Sequence, residues 1–174
     1  MFIMPKVFIC FILLLCCFVV THSQITKLYF FKQDINGGAS KVNDIAGGAD
    51  LPVTSQNQRF FLFAELKKEN NISFEQVWVN GKNYFFKIDS IKQLPFVLRT
   101  SPGGEMIFID TLIKTTNGLI VRLNNLAVNE KKIIPADMKN AISLNAVVVC
   151  YKLKKRKMNF KTTKTQMLRP LFVQ

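Results

Sequence analysis

The 174-residue chain is predicted to be an all-β protein from three features of its sequence. Short β-branched and aromatic runs, bounded by Gly, Pro, Asn or Asp, recur at a spacing of roughly 10–15 residues. No window longer than ten residues keeps the apolar period of an amphipathic helix. Asn80-Gly81 lies between two apolar arms, as in two-residue hairpins. These features favour an antiparallel β-sandwich, immunoglobulin-like in architecture only, or an open barrel of about eight or nine strands.

The first 23 residues are typical of a secretory signal peptide. Lys6 precedes an unbroken apolar run at 7–20, and small residues at Thr21 and Ser23 suit cleavage before Gln24. As a helix this run would rise about 21 Å, which is short of the roughly 30 Å hydrocarbon core of a bilayer. We therefore expect a helical leader at 1–23, an exported chain and no stable transmembrane span after cleavage.

The mature chain, 24–174, has the size of one domain. Its predicted strands are, in order, 25–32, 59–66, the two arms of 72–88, 94–99, 106–114, 119–126, 142–153, 158–160 and 168–173. The run RFFLFAEL at 59–66 is too continuously apolar for a strand with one solvated face, so we expect it to lie centrally. A short helical turn is expected at 135–140.

Two Asn-Gly pairs predict turns in this series. At Asn80-Gly81 a two-residue hairpin should place Trp78 near Tyr84 and Phe85, with the indole half exposed beside the turn. The second pair, Asn117-Gly118, predicts a turn between the strands at 106–114 and 119–126.

A Gly-rich segment at 33–55 is expected to be a surface loop, because it has little to bury. Its oxygen-bearing side chains would suit calcium, but their spacing matches neither the EF-hand nor the nine-residue calcium repeat. These side chains are Asp34, Asn36, Asp44 and Asp50. We expect no metal site and no cofactor.

Catalysis that needs an imidazole is excluded from the mature chain. His22 is the only histidine, and it leaves with the leader. Cys150, the one cysteine outside the leader, follows three valines and is expected to be a small buried hydrophobe. Carboxylate chemistry is what remains, and its candidate acids are Glu65, Glu69, Glu75, Glu105 and Asp110. Because most of them adjoin a lysine or a turn, we expect surface charges and no catalytic residue.

The positive charge of the chain is concentrated at its C-terminal end. Without the leader the chain has 23 basic and 11 acidic residues, and eight of the basic ones fall in the last 25 positions, where there is no acid. A basic hairpin is predicted at 147–161, with its turn within 154–157. The candidate polyanion-binding residues are Lys152, Lys154, Lys155, Arg156, Lys157, Lys161 and Lys164.

These features predict an exported, non-catalytic protein with a binding or structural role in the periplasm, the cell envelope or the extracellular space. Its expected partners are an envelope protein, an anionic lipid or an acidic polysaccharide, while export argues against nucleic acid. Two alternatives stay open: a lumen-type β-barrel that carries an apolar ligand, and a carboxylate-dependent hydrolase. No residue pattern identifies a family.

Overall fold

The computed structural model of the chain describes residues 24–37, 58–67, 72–100 and 107–173. Within these residues the secondary structure is almost entirely strand. The strands are β1 (Ile25–Gly37), β2 (Gln58–Leu66), β3 (Ile72–Val79), β4 (Lys82–Ile91), β5 (Phe96–Thr100), β6 (Phe108–Ile113), β7 (Leu119–Val128), β8 (Val147–Leu153), β9 (Arg156–Thr162), β10 (Gln166–Met167) and β11 (Leu171–Val173). A 3-10 turn (Ala136–Met138) leads into a short helix, α1 (Lys139–Leu144).

The main sheet of the described residues is a curled half-barrel with the strand order β10-β1-β2-β7-β4-β3-β8-β9, and β11 also pairs with β1. The all-β prediction is confirmed, and the open-barrel alternative describes the sheet better than the sandwich. The ladder from β1 to β9 is antiparallel throughout, whereas β10 and β11 run parallel to β1.

The parallel pairing has a simple topological cause. The antiparallel ladder has an odd number of strands among the described residues, so its last strand, β9, points the same way as β1. The curl brings β9 close to β1, and only a few residues separate β9 from β10. The chain therefore continues in the same direction and pairs with the edge of β1 in parallel, which the predicted antiparallel architecture did not specify.

Strand β2 lies centrally and is buried on both faces, as its continuous apolar sequence predicts. Leu62 and Ala64 face the concave side of the half-barrel, where most strands contribute to one apolar core. Phe61 and Phe63 face outward and pack under a separate two-stranded ribbon formed by β5 and β6. The half-barrel thus has one core inside it and a second core against its outer wall.

The helix α1 also covers part of the outer wall of the half-barrel, away from the ribbon of β5 and β6. Trp78, Val148 and Cys150 project outward from β3 and β8, and Ile142 of α1 packs on them. The expectation that Trp78 is half exposed is wrong: its exposed fraction is 1%. The indole lies under the helix, which the sequence next to the Asn-Gly turn does not reveal.

The hairpin at Asn80-Gly81 is confirmed. Asn80 has φ 47° and Gly81 has φ 81°, so both central residues take the left-handed conformation that a type I′ turn needs. Trp78 lies opposite Asn83, and Val77 lies opposite Tyr84, so Trp78 is within one position of the partner that the sequence indicated.

Three local predictions differ from the structure. Strand β1 continues to Gly37, five residues into the loop predicted at 33–55, because β11 pairs with its last residues and Gln33 donates a hydrogen bond to the Arg169 carbonyl oxygen at 3.0 Å. The rest of that loop, 38–55, lies outside the described residues. Ile142 begins no strand, since residues 142–144 end the helix α1 and β8 starts at Val147.

The third difference concerns Asn117-Gly118, which does not join paired strands, because β6 pairs with β5 and β7 pairs with β2 and β4. Gly118 lies against β2 instead. A β-carbon at Gly118 would lie 2.6 Å from Glu65 Cγ and 3.0 Å from the Leu66 carbonyl oxygen. Glycine is needed here for close approach of two backbones.

The predicted leader, 1–23, lies outside the described residues. Among the residues that the structure does describe, none forms a helix with the length and apolar character needed to cross a bilayer.

Candidate anion-binding hairpin

The basic C-terminal segment forms a hairpin whose two strands stay paired from end to end. Strand β8 pairs with β9 over seven residue pairs, from Val147 opposite Thr162 to Leu153 opposite Arg156. Lys154 and Lys155 make the connection. The predicted turn region is therefore confirmed. We call this element the basic hairpin and define it by residues 147–164.

The apolar side of the basic hairpin anchors it to the half-barrel. Val149 and Tyr151 of β8 belong to the concave core, and Met158 and Phe160 of β9 pack against that core. Because side chains alternate along a strand, the residues between them point away from it. Lys152, Lys157 and Lys161 therefore lie on the outward face of the hairpin.

Five of the seven predicted site residues lie together at the closed end of the hairpin. These are Lys152, Lys154, Lys155, Arg156 and Lys157. Lys161 lies opposite Val148, about 13 Å along β9 from Lys157. Lys164 follows the end of β9, where its backbone N–H donates to Thr162 Oγ1 at 3.1 Å. The structure thus places five of the predicted cations close together, whereas Lys161 and then Lys164 lie progressively farther from the closed end of the hairpin.

Six of the seven cationic side chains are exposed, and only Lys152 is partly buried. Lys152 Nζ forms an ion pair with a carboxylate oxygen of Glu75 on β3. No pattern in the sequence indicates this partner. Glu75 is the extra residue of a β-bulge, because Phe74 lies opposite Tyr151 while Gln76 lies opposite Cys150. A bulge of this kind turns a side chain from its expected direction.

Two local features of the basic hairpin are unfavourable for folding. Lys152 lies directly opposite Lys157, and like charges in facing positions destabilise a strand pair, a cost that the ion pair of Lys152 with Glu75 reduces. Lys154 has φ 57°, a left-handed conformation that is uncommon for a residue other than glycine, Asn or Asp. Neither feature improves packing.

Arg169, the remaining basic residue of the C-terminal end, is separate from this cluster. Its guanidinium carbon lies 5.1 Å from the ring centroid of Phe108 on β6, in a cation–π contact. Arg169 belongs to the basic C-terminal end in the sequence. In the structure its contact with Phe108 attaches the segment before β11 to the ribbon of β5 and β6.

Of the predicted candidate acids, Glu65 is held by neighbouring groups, whereas Asp110 Oδ2 on β6 is buried and has no hydrogen-bond partner among the described residues. The Tyr29 hydroxyl donates to Glu65 Oε2 at 2.8 Å, and the Thr116 hydroxyl donates to Glu65 Oε1. Partial burial and this bond to Glu65 raise the pKa of Tyr29 to about 12. Asp89 accepts a hydrogen bond from Asn124 Nδ2 at 3.0 Å. Glu69 and Glu105 lie outside the described residues.

Metal and thiol chemistry find no support in the part of the chain that the structure describes. No group of three or more His, Cys, Asp or Glu side chains is close enough there to hold a metal ion. Cys150 is buried in β8, as predicted, and its Sγ lies 3.7 Å from Met138 Sδ. Burial, reinforced by Glu75 and Asp137, raises the pKa of its thiol to about 11, so the thiol stays protonated at neutral pH.

Comparisons of this chain with protein-family models, with curated proteins and with solved structures gave no match.

Proposed function

We propose that the protein is an exported, non-catalytic binding protein whose basic hairpin docks on an anionic lipid surface. The observation that carries the proposal is the closed end of β8–β9, where the four consecutive cations at 154–157 are all exposed. Lys152 is already paired with Glu75, so the cations at 154–157 are the ones that a surface of phosphate groups would contact.

The exposed cations are numerous enough for such binding. Near an anionic membrane, each Lys or Arg contributes about 1 kcal/mol, and the effect falls off within a Debye length of about 8 Å at physiological salt. Residues 154–157 are all exposed at the hairpin tip, so they can reach one surface together. The apolar anchoring of Met158 and Phe160 would hold the tip in a fixed orientation.

The experiment is co-sedimentation of the mature protein with vesicles of mixed phosphatidylserine and phosphatidylcholine. Changing residues 154–157 to Ser should lower the affinity by at least about tenfold, since four cations near the surface are lost. A matched control removes the same number of exposed charges elsewhere, through Lys92→Ser, Lys114→Ser, Lys131→Ser and Lys139→Ser. This control should bind nearly as well as the wild type.

Equal binding to pure phosphatidylcholine would refute the proposal, and so would equal losses in the hairpin variant and its control. The second result would mean that net charge alone drives binding. An acidic polysaccharide is then added as a competitor. If it binds the protein more tightly than the vesicles do, the polyanion that the hairpin binds is a polysaccharide and not a lipid. An envelope protein as the partner stays a prediction.

The apolar carrier and the carboxylate hydrolase receive less support. On the concave face, rings of the chain itself pack together, with Phe30 and Tyr84 both in contact with Phe60. Both carboxylate oxygens of Glu65 accept hydrogen bonds, from the hydroxyl groups of Tyr29 and Thr116, and these two donors line a polar depression of about 640 Å³. Neither observation favours a second function, so we propose none.

A further inference from the structure

The two strands of the Asn80-Gly81 hairpin separate soon after the turn. Strand β3 pairs with β4 over three residue pairs only, ending at Val77 opposite Tyr84. Beyond this point, 72–76 pair with β8 and 85–91 pair with β7. On their facing sides, these two segments have no strand partner among the described residues. We call the opening between them the β3–β4 slot.

Bulges on both strands explain the separation. Strand β3 has a bulge between Phe74 and Gln76 relative to β8, and β4 has one between Phe85 and Lys87 relative to β7. A bulge bends its strand and increases the local twist. Because both bulges fall directly after the last β3–β4 pair, the two strands bend away from each other at that point.

The β3–β4 slot exposes apolar side chains that a neighbouring strand would cover. Ile88 lies opposite Leu123, which faces the concave core, so Ile88 is on the core side of the sheet, yet its exposed fraction is 48%. Phe85, on the other face of β4, is 60% exposed. A depression of about 440 Å³ opens here, and Phe74, Tyr84 and Phe86 contribute to its lining.

The charges around the β3–β4 slot are unbalanced toward positive. Lys87 lies on the free edge of β4 and Lys132 lines the depression, and both are exposed. Glu75, which lines the depression, is paired with Lys152, so Asp89 is the acid that remains near Lys87. An occupant with negative side chains would therefore meet two exposed cations, Lys87 and Lys132, against one exposed acid.

We propose that the β3–β4 slot binds an extended acidic segment of a partner protein, which adds as a strand to the edge of β4. Unpaired backbone N–H and C=O groups along 85–91 would supply the hydrogen bonds, as in other cases of strand addition. Alternate apolar side chains of the segment would cover Ile88, and alternate acidic ones would face Lys87. The site is independent of the anionic-lipid proposal.

A second copy of this chain fits less well. Its own β4 carries Lys82 and Lys87 against a single acid, Asp89, Lys92 follows directly after the strand, and the chain without the leader has 23 basic residues against 11 acidic. Pairing two such edges would bring cations together. A partner segment of opposite charge has no such repulsion.

The test uses labelled peptides of about six residues, a usual strand length, in which Glu alternates with Val. Fluorescence anisotropy should show binding that is at least about tenfold tighter than for the matching Lys–Val peptide. Two further Glu–Val peptides carry N-methyl groups on alternate amides, in opposite phase. At least one of them should lose binding, because methylation removes donors that strand pairing needs.

Protein variants locate the site. Ile88→Lys should weaken binding of the Glu–Val peptide by about tenfold or more, because a charged side chain on the core side opposes strand addition. Ile109→Lys, the same change at an exposed isoleucine of β6, should leave the affinity within about twofold and controls for added charge. The variant with Ser at 154–157 should also retain binding. Near-ultraviolet circular dichroism confirms that each variant is folded.

The proposal is overturned if both methylated peptides bind like the parent peptide, or if Ile88→Lys binds like the wild type. Loss of binding in the 154–157 variant alone would overturn it too, because the peptide would then be bound by the basic hairpin. Light scattering tests the other occupant: a wild-type dimer that Ile88→Lys converts to a monomer would assign the slot to a second copy.

Discussion

The two hairpins of the half-barrel have the same turn length but opposite character. The Asn80-Gly81 hairpin has favourable turn residues, yet its strands stay paired over three residue pairs only. The basic hairpin turns through Lys154 and Lys155, with Lys154 in a left-handed conformation, yet its strands stay paired over seven. Good turn chemistry therefore does not determine how far two strands remain together.

What differs is the pairing beyond the turn. Both strands of the first hairpin carry a bulge where they part, while β8 and β9 pair without a register shift. The first hairpin thus opens an apolar slot, and the second presents a continuous surface of cations. The molecule offers two different binding surfaces, and strand β3 lies between them.

The largest expected effect in this comparison concerns the paired part of the first hairpin. Trp78→Ala should lower the free energy of unfolding by about 3–5 kcal/mol, because it leaves a cavity between β3, β8 and α1. Chemical denaturation measures this change. Phe85→Ala, in the separated part and 60% exposed, is the matched control and should change stability by less than about 0.5 kcal/mol. Similar values for the two variants would contradict the burial of Trp78.

A smaller effect tests the turn of the first hairpin. Gly81→Ala should cost about 1–2 kcal/mol, because alanine is strained at φ 81°. Nothing lies within 4 Å of the position that its β-carbon would take, so backbone strain is the only cause. Thermal or urea unfolding gives the value, with Lys82→Ala as a neighbouring control. A neutral Gly81→Ala variant would exclude the type I′ turn.

The opposite sign is expected at the turn of the second hairpin. Lys154→Gly should raise stability by about 0.5–1 kcal/mol, since relief of the left-handed strain exceeds the backbone entropy that glycine loses. Lys155→Gly, where φ is not positive, should instead lower stability. If both glycine variants are destabilised equally, the strain at Lys154 is absent.

A pH-dependent effect concerns the Cys150 thiol on β8, on the face of the basic hairpin that packs against α1. Burial raises the pKa of Cys150 from 9.0 to about 11, so the folded state binds this proton more tightly than the unfolded state. The resulting stability is present below about pH 9 and is lost as the pH rises to about 11. Melting temperatures of the wild type and of Cys150→Ala should therefore converge over this range, while other titrations affect both equally. A constant difference would mean that Cys150 is accessible to water.

Many of the strands can be predicted from residues that are close together in the sequence. RFFLFAEL predicted a central strand because no face of it is polar, and Asn80-Gly81 predicted a turn because few residue pairs accept two positive φ values. The closed end of the basic hairpin was also predictable, since the cations interrupt two apolar runs. Each of these three features is determined by residues that are close together in the sequence.

The unpredicted features depend on contacts that are distant in sequence. The cover of α1 over Trp78, the pairing of β11 with the end of β1, and the outward ribbon of β5 and β6 arise from packing between separate segments. Glu75 pairs with Lys152 from a β-bulge, and no residue pattern in the sequence predicts that bulge. The β3–β4 slot was missed for the same reason.

Hydrogen–deuterium exchange of the protein, with and without phosphatidylserine vesicles, shows which surface binds lipid. We expect slower exchange on vesicle binding within 152–157, at the tip of the basic hairpin, and unchanged exchange within 85–91 at the β3–β4 slot. Protection confined to the slot, or no protection at the hairpin tip in a sample where the protein is vesicle-bound, would contradict this expectation.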